Sequence, residues 1–274
     1  MLLNLICKLW KYSSKEVTPL LFLASMACCI SAWADDVKPD GKWRGNGGAA
    51  LSEATGNTQS SSLTITADTT RRTAEDKLSL SAQYVGSRAR STYNGVTSTS
   101  TTANQGFARS QYDHNITETK FGFGGLVFSR DQIQLLSLRS MISGGFGYHM
   151  IKTPDSHWNL LGGMSYRSDK YSDPGVLINN QIRSGFDTME LLFSEDSTSK
   201  LSESANFNQR LSIRPNISGE SGFLVTFDST LMVMINKTLS LRVSFQDNFN
   251  SMSQAPILKN DTLFFTGINV KFGE

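Results

Sequence analysis

The chain has 274 residues, 39% of them hydrophobic, and a formal net charge of +2. Residues 1–34 read as an export signal: Lys8, Lys11 and Lys15 form a positive segment, Leu20 to Ile30 an apolar one, and Ala32-Trp33-Ala34 a small-residue cleavage site. Taking three lysines and Glu16 away with it leaves 23 basic and 23 acidic residues, a neutral remainder that excludes nucleic-acid binding by bulk charge.

The apolar run of the signal is too short for a spanning helix, which needs about 20 residues. All three cysteines (Cys7, Cys28, Cys29) lie inside it, so residues 35–274, read as one domain, hold neither a thiol nucleophile nor a Cys-ligated metal. With no long apolar run after residue 34, the sequence is that of an all-β chain, either soluble or a membrane barrel.

In chain order, Trp43 opens a strand that alternates to Ser52, turning at Gly56-Asn57-Thr58. Leu63, Ile65 and Ala67 then point outward against Thr64, Thr66 and Asp68. After a polar turn at residues 71–75, Leu78, Leu80, Ala82 and Tyr84 alternate with Lys77, Ser79, Ser81 and Gln83. Residues 87–103, rich in Ser and Thr, are expected to be a long loop. Strands follow at 105–114, 120–129, 138–150 and 158–167, with Phe121, Phe123 and Val127 sharing one face of the second of these.

Residues 168–184 form a second expected loop. Met189, Leu191 and Phe193 then descend against Glu190 and Leu192, and residues 201–211 ascend with Arg210 opposite the apolar face and Glu203 on it. Phe223 to Ile235 carries Asp228 on its polar face, and Leu239 to Phe245 carries Arg242. A closing strand, Asp261 to Phe272, holds Thr262, Phe264, Thr266, Ile268, Val270 and Phe272 on one face and Asp261 and Lys271 on the other. Pro39, Pro154, Pro174, Pro215 and Pro256 all fall outside the expected strands, as proline, lacking an N–H, should.

This gives a twelve-stranded antiparallel up-and-down transmembrane β-barrel. An even count is the rule for bacterial outer-membrane barrels, and the long expected loops (87–103, 168–184, 250–258) all follow odd strands. A soluble barrel would share the two-residue period. Two aromatic belts favour the bilayer: Trp43, Tyr148, Trp158 and Phe272 at one rim, and Tyr84, Tyr166, Phe223, Phe245 and Phe264 at the other. So do the charges expected in the lumen, Lys77, Arg139, Arg167, Arg210, Arg242 and Lys271 with Asp68, Glu190, Asp228 and Asp261, which a dry soluble core could not hold unpaired. The environment implied is the outer membrane of a Gram-negative cell, with membrane lipid outside, barrel-assembly machinery at insertion, and small solutes as candidate lumen partners.

Gly56-Asn57-Thr58, Gln111-Tyr112-Asp113, Arg130-Asp131, Leu138-Arg139, Gly144 to Tyr148 and the ending Asp261 to Phe272 together resemble the YdiY-like family, whose members are described as salt-induced outer-membrane proteins. The resemblance implies an outer-membrane barrel and a link to salt or osmotic stress, and brings no catalytic residues and no cofactor. This chain runs two residues beyond Phe272.

A lipid-cleaving enzyme would need a serine activated by a histidine. The histidines are His114, His149 and His157, and the residues two positions on are Ile116, Ile151 and Asn159, so the spacing of outer-membrane lipases and deacylases is missing. No metal-ligand spacing or phosphate loop is present. The reading is a non-enzymatic barrel with a filled or narrow lumen. The alternatives are a small-solute channel of slight anion preference and a lipid-modifying enzyme with an unrecognised site.

Overall fold

A computed structural model of the chain describes residues 39–54, 58–93, 96–178, 180–254 and 257–273. The signal segment and Ala32 and Ala34 lie outside the described residues. Twelve antiparallel strands close into a barrel: β1 (Trp43–Ala54), β2 (Thr58–Arg72), β3 (Asp76–Tyr93), β4 (Val96–Asn115), β5 (Lys120–Asp131), β6 (Leu136–Lys152), β7 (Ser156–Tyr171), β10 (Gly185–Ser202), β11 (Ala205–Pro215), β12 (Phe223–Met234), β13 (Leu239–Asn250) and β14 (Asn260–Phe272). Between β7 and β10 a small separate hairpin, β8 (Val176–Ile178) and β9 (Gln181–Arg183), stands outside the barrel sheet. Each barrel strand pairs with its sequence neighbour, and β14 pairs with β1. No helix among the described residues is long and apolar enough to cross a membrane.

Four sequence expectations are corrected. Residues 87–103 are not a loop, because β3 and β4 run on as a paired ribbon to Tyr93 and Val96. The described side chains at 97–102 are exposed; where both faces of a ribbon meet water there is no apolar alternation to read. Residues 168–184 likewise contain the end of β7 and the β8–β9 hairpin. The turn expected between Phe193 and Leu201 lies instead at residues 203–204. Glu195, Ser197 and Ser199 interrupt the apolar face of β10 and hid its continuation, and Glu203 sits in the turn rather than on the wall. Pro215 is the last residue of β11, paired with Phe223, a strand end where its missing N–H costs the ladder little.

Alternation sorts the side chains to two environments. The outer surface carries Leu80, Tyr84, Leu126, Phe128, Ile142, Phe146, Met164, Phe264, Ile268 and Val270, all exposed. Trp43, Tyr148, Trp158 and Phe272, also exposed, mark the rim shared by the chain's first and last strands. The face of β5 that bears Phe121 and Phe123 points inward, where both join Leu161 and Leu192 in a hydrophobic cluster of buried residues. His149 stacks on Phe121 at 4.6 Å between ring centroids. Gly147 lies directly beneath that ring; a Cβ there would come within 2.1 Å of it.

Closure is the thinnest part of the wall. The β1–β14 ladder joins five residue pairs, Gly45–Phe272 to Ala49–Ile268, against fifteen between β7 and β10. Gly48 makes this approach possible, since a Cβ on it would fall 1.7 Å from Asn269 Oδ1 and 3.0 Å from Thr66 Oγ1.

The inside-outside assignment has a direct consequence. Val243 lies outward in the middle of β13, whereas Asn208 lines the lumen cavity described below. Val243→Arg should destabilise the folded protein in lipid by about 2–4 kcal/mol, and Asn208→Arg by less than about 1 kcal/mol, as read from urea unfolding in vesicles.

Candidate functional site: a braced and basic lumen

The interior divides into two parts. On the β6–β11 side the half of the lumen away from the chain termini is filled by a buried charge cluster. Arg139 lays its guanidinium flat on Asp169, with Nε and Nη2 each 2.7 Å from a different carboxylate oxygen, and the Tyr171 hydroxyl donates to the same group at 3.1 Å. A two-pronged contact of this kind is the strong form of a charge-assisted hydrogen bond.

Arg167 stands next to it, with Nε 3.1 Å from Glu190 Oε1 and 3.9 Å from Asp169 Oδ2, and its guanidinium lies over the Phe186 ring at 5.3 Å. Arg167, Asp169 and Glu190 are 1%, 2% and 0% exposed. The Arg167–Glu190 contact is an ion pair without aligned hydrogen bonds, since Arg167 Nε and Nη1 and both Glu190 oxygens have no hydrogen-bond partner. Asn216, which continues the β10–β11 ladder past Pro215 by a single bridge to Glu190, brings Oδ1 to 3.5 Å from Arg167 Nη2, and Met252 lies against both side chains. A Gln134 amide donates to Asp261, tying the β5–β6 turn to β14.

Toward the rim that holds the termini, the lumen opens into a cavity of about 680 Å³. Bridges span it from strands that are not neighbours. Gln83 and Gln246 exchange two amide hydrogen bonds of 2.9 Å, Arg242 Nη1 donates to Asp68 Oδ2 at 2.8 Å, and Arg109 approaches Asp228 to 3.8 Å. Arg210 adds a pair with Asp196 at 3.8 Å.

Of the charged residues read from the sequence, Lys77, Arg210, Arg242, Lys271, Asp68 and Asp228 line this cavity. Arg139, Arg167 and Glu190 belong to the buried cluster, and Asp261 stands apart from both at the Gln134 contact. The sequence reading missed Asp169, Arg109, Arg44, Arg72, Asp196 and Arg214. Asp169 lies in a stretch that reads as a loop, and Arg109 in a strand of mixed character; the structure pairs Asp113 with Lys77, and Arg109, an even number of residues from Asp113, shares that inward face. Eight basic side chains, counting Lys237 at the rim, face three aspartates in the cavity wall, so the space is electropositive. At the entrance, Arg44 holds Asp40 by two bonds of 2.8 and 2.6 Å, and this grip keeps the Asp40 carboxyl well below the usual carboxylate range.

Two of the three histidines have described partners. His114 Nδ1 lies 2.8 Å from Asp76, which also accepts the Tyr112 hydroxyl at 2.6 Å, and His149 sits between the amides of Asn159 (2.6 Å) and Asn115 (3.2 Å). No group of three or more metal-ligating side chains gathers among the described residues.

An apolar, lipid-facing wall around an ion-paired interior defines a transmembrane β-barrel. The chain belongs to DUF481, a family described as a protein of unknown function, whose model matches residues 47–272. No curated protein sequence matches it. Among solved structures it is similar to the translocator domain of the autotransporter NalP from Neisseria meningitidis, at 12% identity and a TM-score of 0.45 over 87% of this chain and 91% of that one. It is also similar to the COG4313 outer membrane channel from Pseudomonas putida F1 (8%, 0.43, 89% and 100%) and to the KdgM porin (11%, 0.40, 84% and 99%).

The buried pair generates a stability prediction. Glu190→Leu strands the Arg167 charge and should cost about 3–5 kcal/mol, while adding Arg167→Met should recover most of that loss. Urea midpoints of the two variants in vesicles provide the check.

Proposed function

We propose that the protein is a non-enzymatic barrel of the Gram-negative outer membrane, inserted there by barrel-assembly machinery, whose lumen admits small anionic solutes from the periplasmic side. The carrying observation is the 680 Å³ cavity at the end that holds the chain termini, with eight basic side chains against three acidic ones in its wall. A positive, water-filled recess with low-dielectric walls concentrates anions. The lumen-facing set Lys77, Arg210, Arg242 and Lys271, with Asp68 and Asp228, supplies that field, and the Arg139–Asp169 and Arg167–Glu190 cluster narrows the passage at the far end. Twelve strands lie between the eight that side chains fill and the sixteen that leave a channel, so side-chain packing sets the bore.

The outer-membrane location is supported by the aromatic rims and the exposed aliphatic band between them. The non-enzymatic part of the reading rests on the sequence, where Ile116, Ile151 and Asn159 stand two residues after the three histidines. A role in salt or osmotic stress is the finer part of the proposal and rests on the resemblance to the YdiY-like family; a barrel that admits small anions suits such a role.

In planar bilayers with a KCl gradient, the refolded protein should show small conductance steps with a reversal potential on the anion side. Replacing Arg109, Arg210 and Arg242 together by glutamine should move that potential toward zero or past it. Cation-selective steps in the unaltered protein would refute the reading, as would silence from a protein proved folded by its heat-modifiable gel mobility.

A further inference from the structure

The outer wall is not apolar throughout. On β10 the outward residues run Met189, Leu191, Phe193 and then Glu195, Ser197 and Ser199. Glu195 accepts hydrogen bonds from Gln209 Nε2 on β11 at 2.5 Å and from the Trp158 indole on β7 at 3.1 Å. Trp158 is an exposed residue of the outer surface, so its contact places the carboxylate on the same side. The register aligns Ser197 with Gln209, and Gln209 with Ser229 of β12.

Gln209 is the fifth of eleven residues in β11 and Ser229 the seventh of twelve in β12, while Ser197 aligns with Trp158 of the rim and Glu195 with Leu160 next above it, so the group climbs from the aromatic rim toward the middle of the wall. Leu211, Ile213 and Phe227 flank it on one side, and Phe207, Leu231 and Val233 on the other. The Glu195 carboxylate just inside the rim, with the amide and hydroxyl that continue it up the wall, would face lipid, where an ionisable group is unfavourable and is normally covered by protein.

We propose that this polar island is the contact surface for a second copy of the same chain, forming a two-fold dimer within the membrane. The chemistry is self-complementary. The patch carries an acceptor, the Glu195 carboxylate, beside a donor, the Gln209 amide, and two-fold symmetry brings the same patch of one protomer against that of its partner. Each protomer's amide then reaches the partner's carboxylate, and the serines, being small, allow the two walls to approach closely. The inference depends on the outer wall meeting lipid, which the Val243→Arg comparison tests separately; it does not depend on whether the lumen conducts.

Single-molecule photobleaching of the full-length mature protein, labelled at one introduced surface cysteine and diluted in lipid vesicles, reads the stoichiometry. The unaltered protein should bleach in two steps. Glu195→Leu combined with Gln209→Leu should shift the equilibrium toward monomer by at least about tenfold, while Ile142→Ala combined with Phe146→Ala, on the exposed β6 wall, should leave it unchanged. Ser229→Trp gives an independent reading: a lipid-facing site accepts the ring without loss of stability, whereas a packed interface does not, so the variant should be folded and monomeric. One-step bleaching of the unaltered protein, or dimers that survive both the double replacement and Ser229→Trp, would overturn the proposal.

Discussion

Inside a bilayer each backbone N–H and C=O must find its partner within the protein, because no water is there to supply one. That requirement makes this chain a closed sheet, and much else in the sequence serves it. The five-pair ladder between β1 and β14 completes the ring, and Gly48 is there because the Asn269 side chain occupies the space a Cβ would need. The strands bound by that ladder have one face for lipid and one for the interior, so a two-residue period in the sequence becomes two solvents in space.

The interior has its own difficulty. Polar side chains pointing into a space this narrow lose water, and the structure compensates with pairs that cross between strands far apart in sequence. Gln83–Gln246 and Arg242–Asp68 brace the cavity; Arg139–Asp169 is buried with matched geometry. Arg167–Glu190 is different, buried and close but poorly aligned. A buried pair of that kind is weak evidence for stability. Asn216 and Met252, which belong to connections at the outer end, lie against it.

Much of this was legible in the sequence, and the failures share a cause. The barrel class and the strand count follow from alternation. Alternation fails wherever both faces of a strand see the same medium, as in the β3–β4 ribbon beyond residue 87, or where the lipid face is itself polar, as at Glu195, Ser197 and Ser199. It also cannot say which face points inward when both are apolar. In β5, Phe121 and Phe123 alternate with glycines, and only the packing of Phe121 over Gly147 and against His149 shows that the aromatic face belongs to the lumen. Pairing was beyond reach for a simpler reason: Gln83 and Gln246 are 163 residues apart, and no local pattern records which long-range partner a lumen residue will meet.

The central claim is that the polar face encloses an electropositive cavity reached from the rim that holds the termini. Beyond residue 34 the sequence has no cysteine, so single thiols can be introduced at Asn208, in the cavity wall, and at Val243, on the outer wall, and their reaction rates with anionic and cationic water-soluble thiosulfonates compared in vesicles. The account predicts that the thiol at 208 reacts with the anionic reagent faster than with the cationic one, and that the thiol at 243 reacts with neither. A thiol at 208 that prefers the cationic reagent, or a reactive thiol at 243, would contradict it.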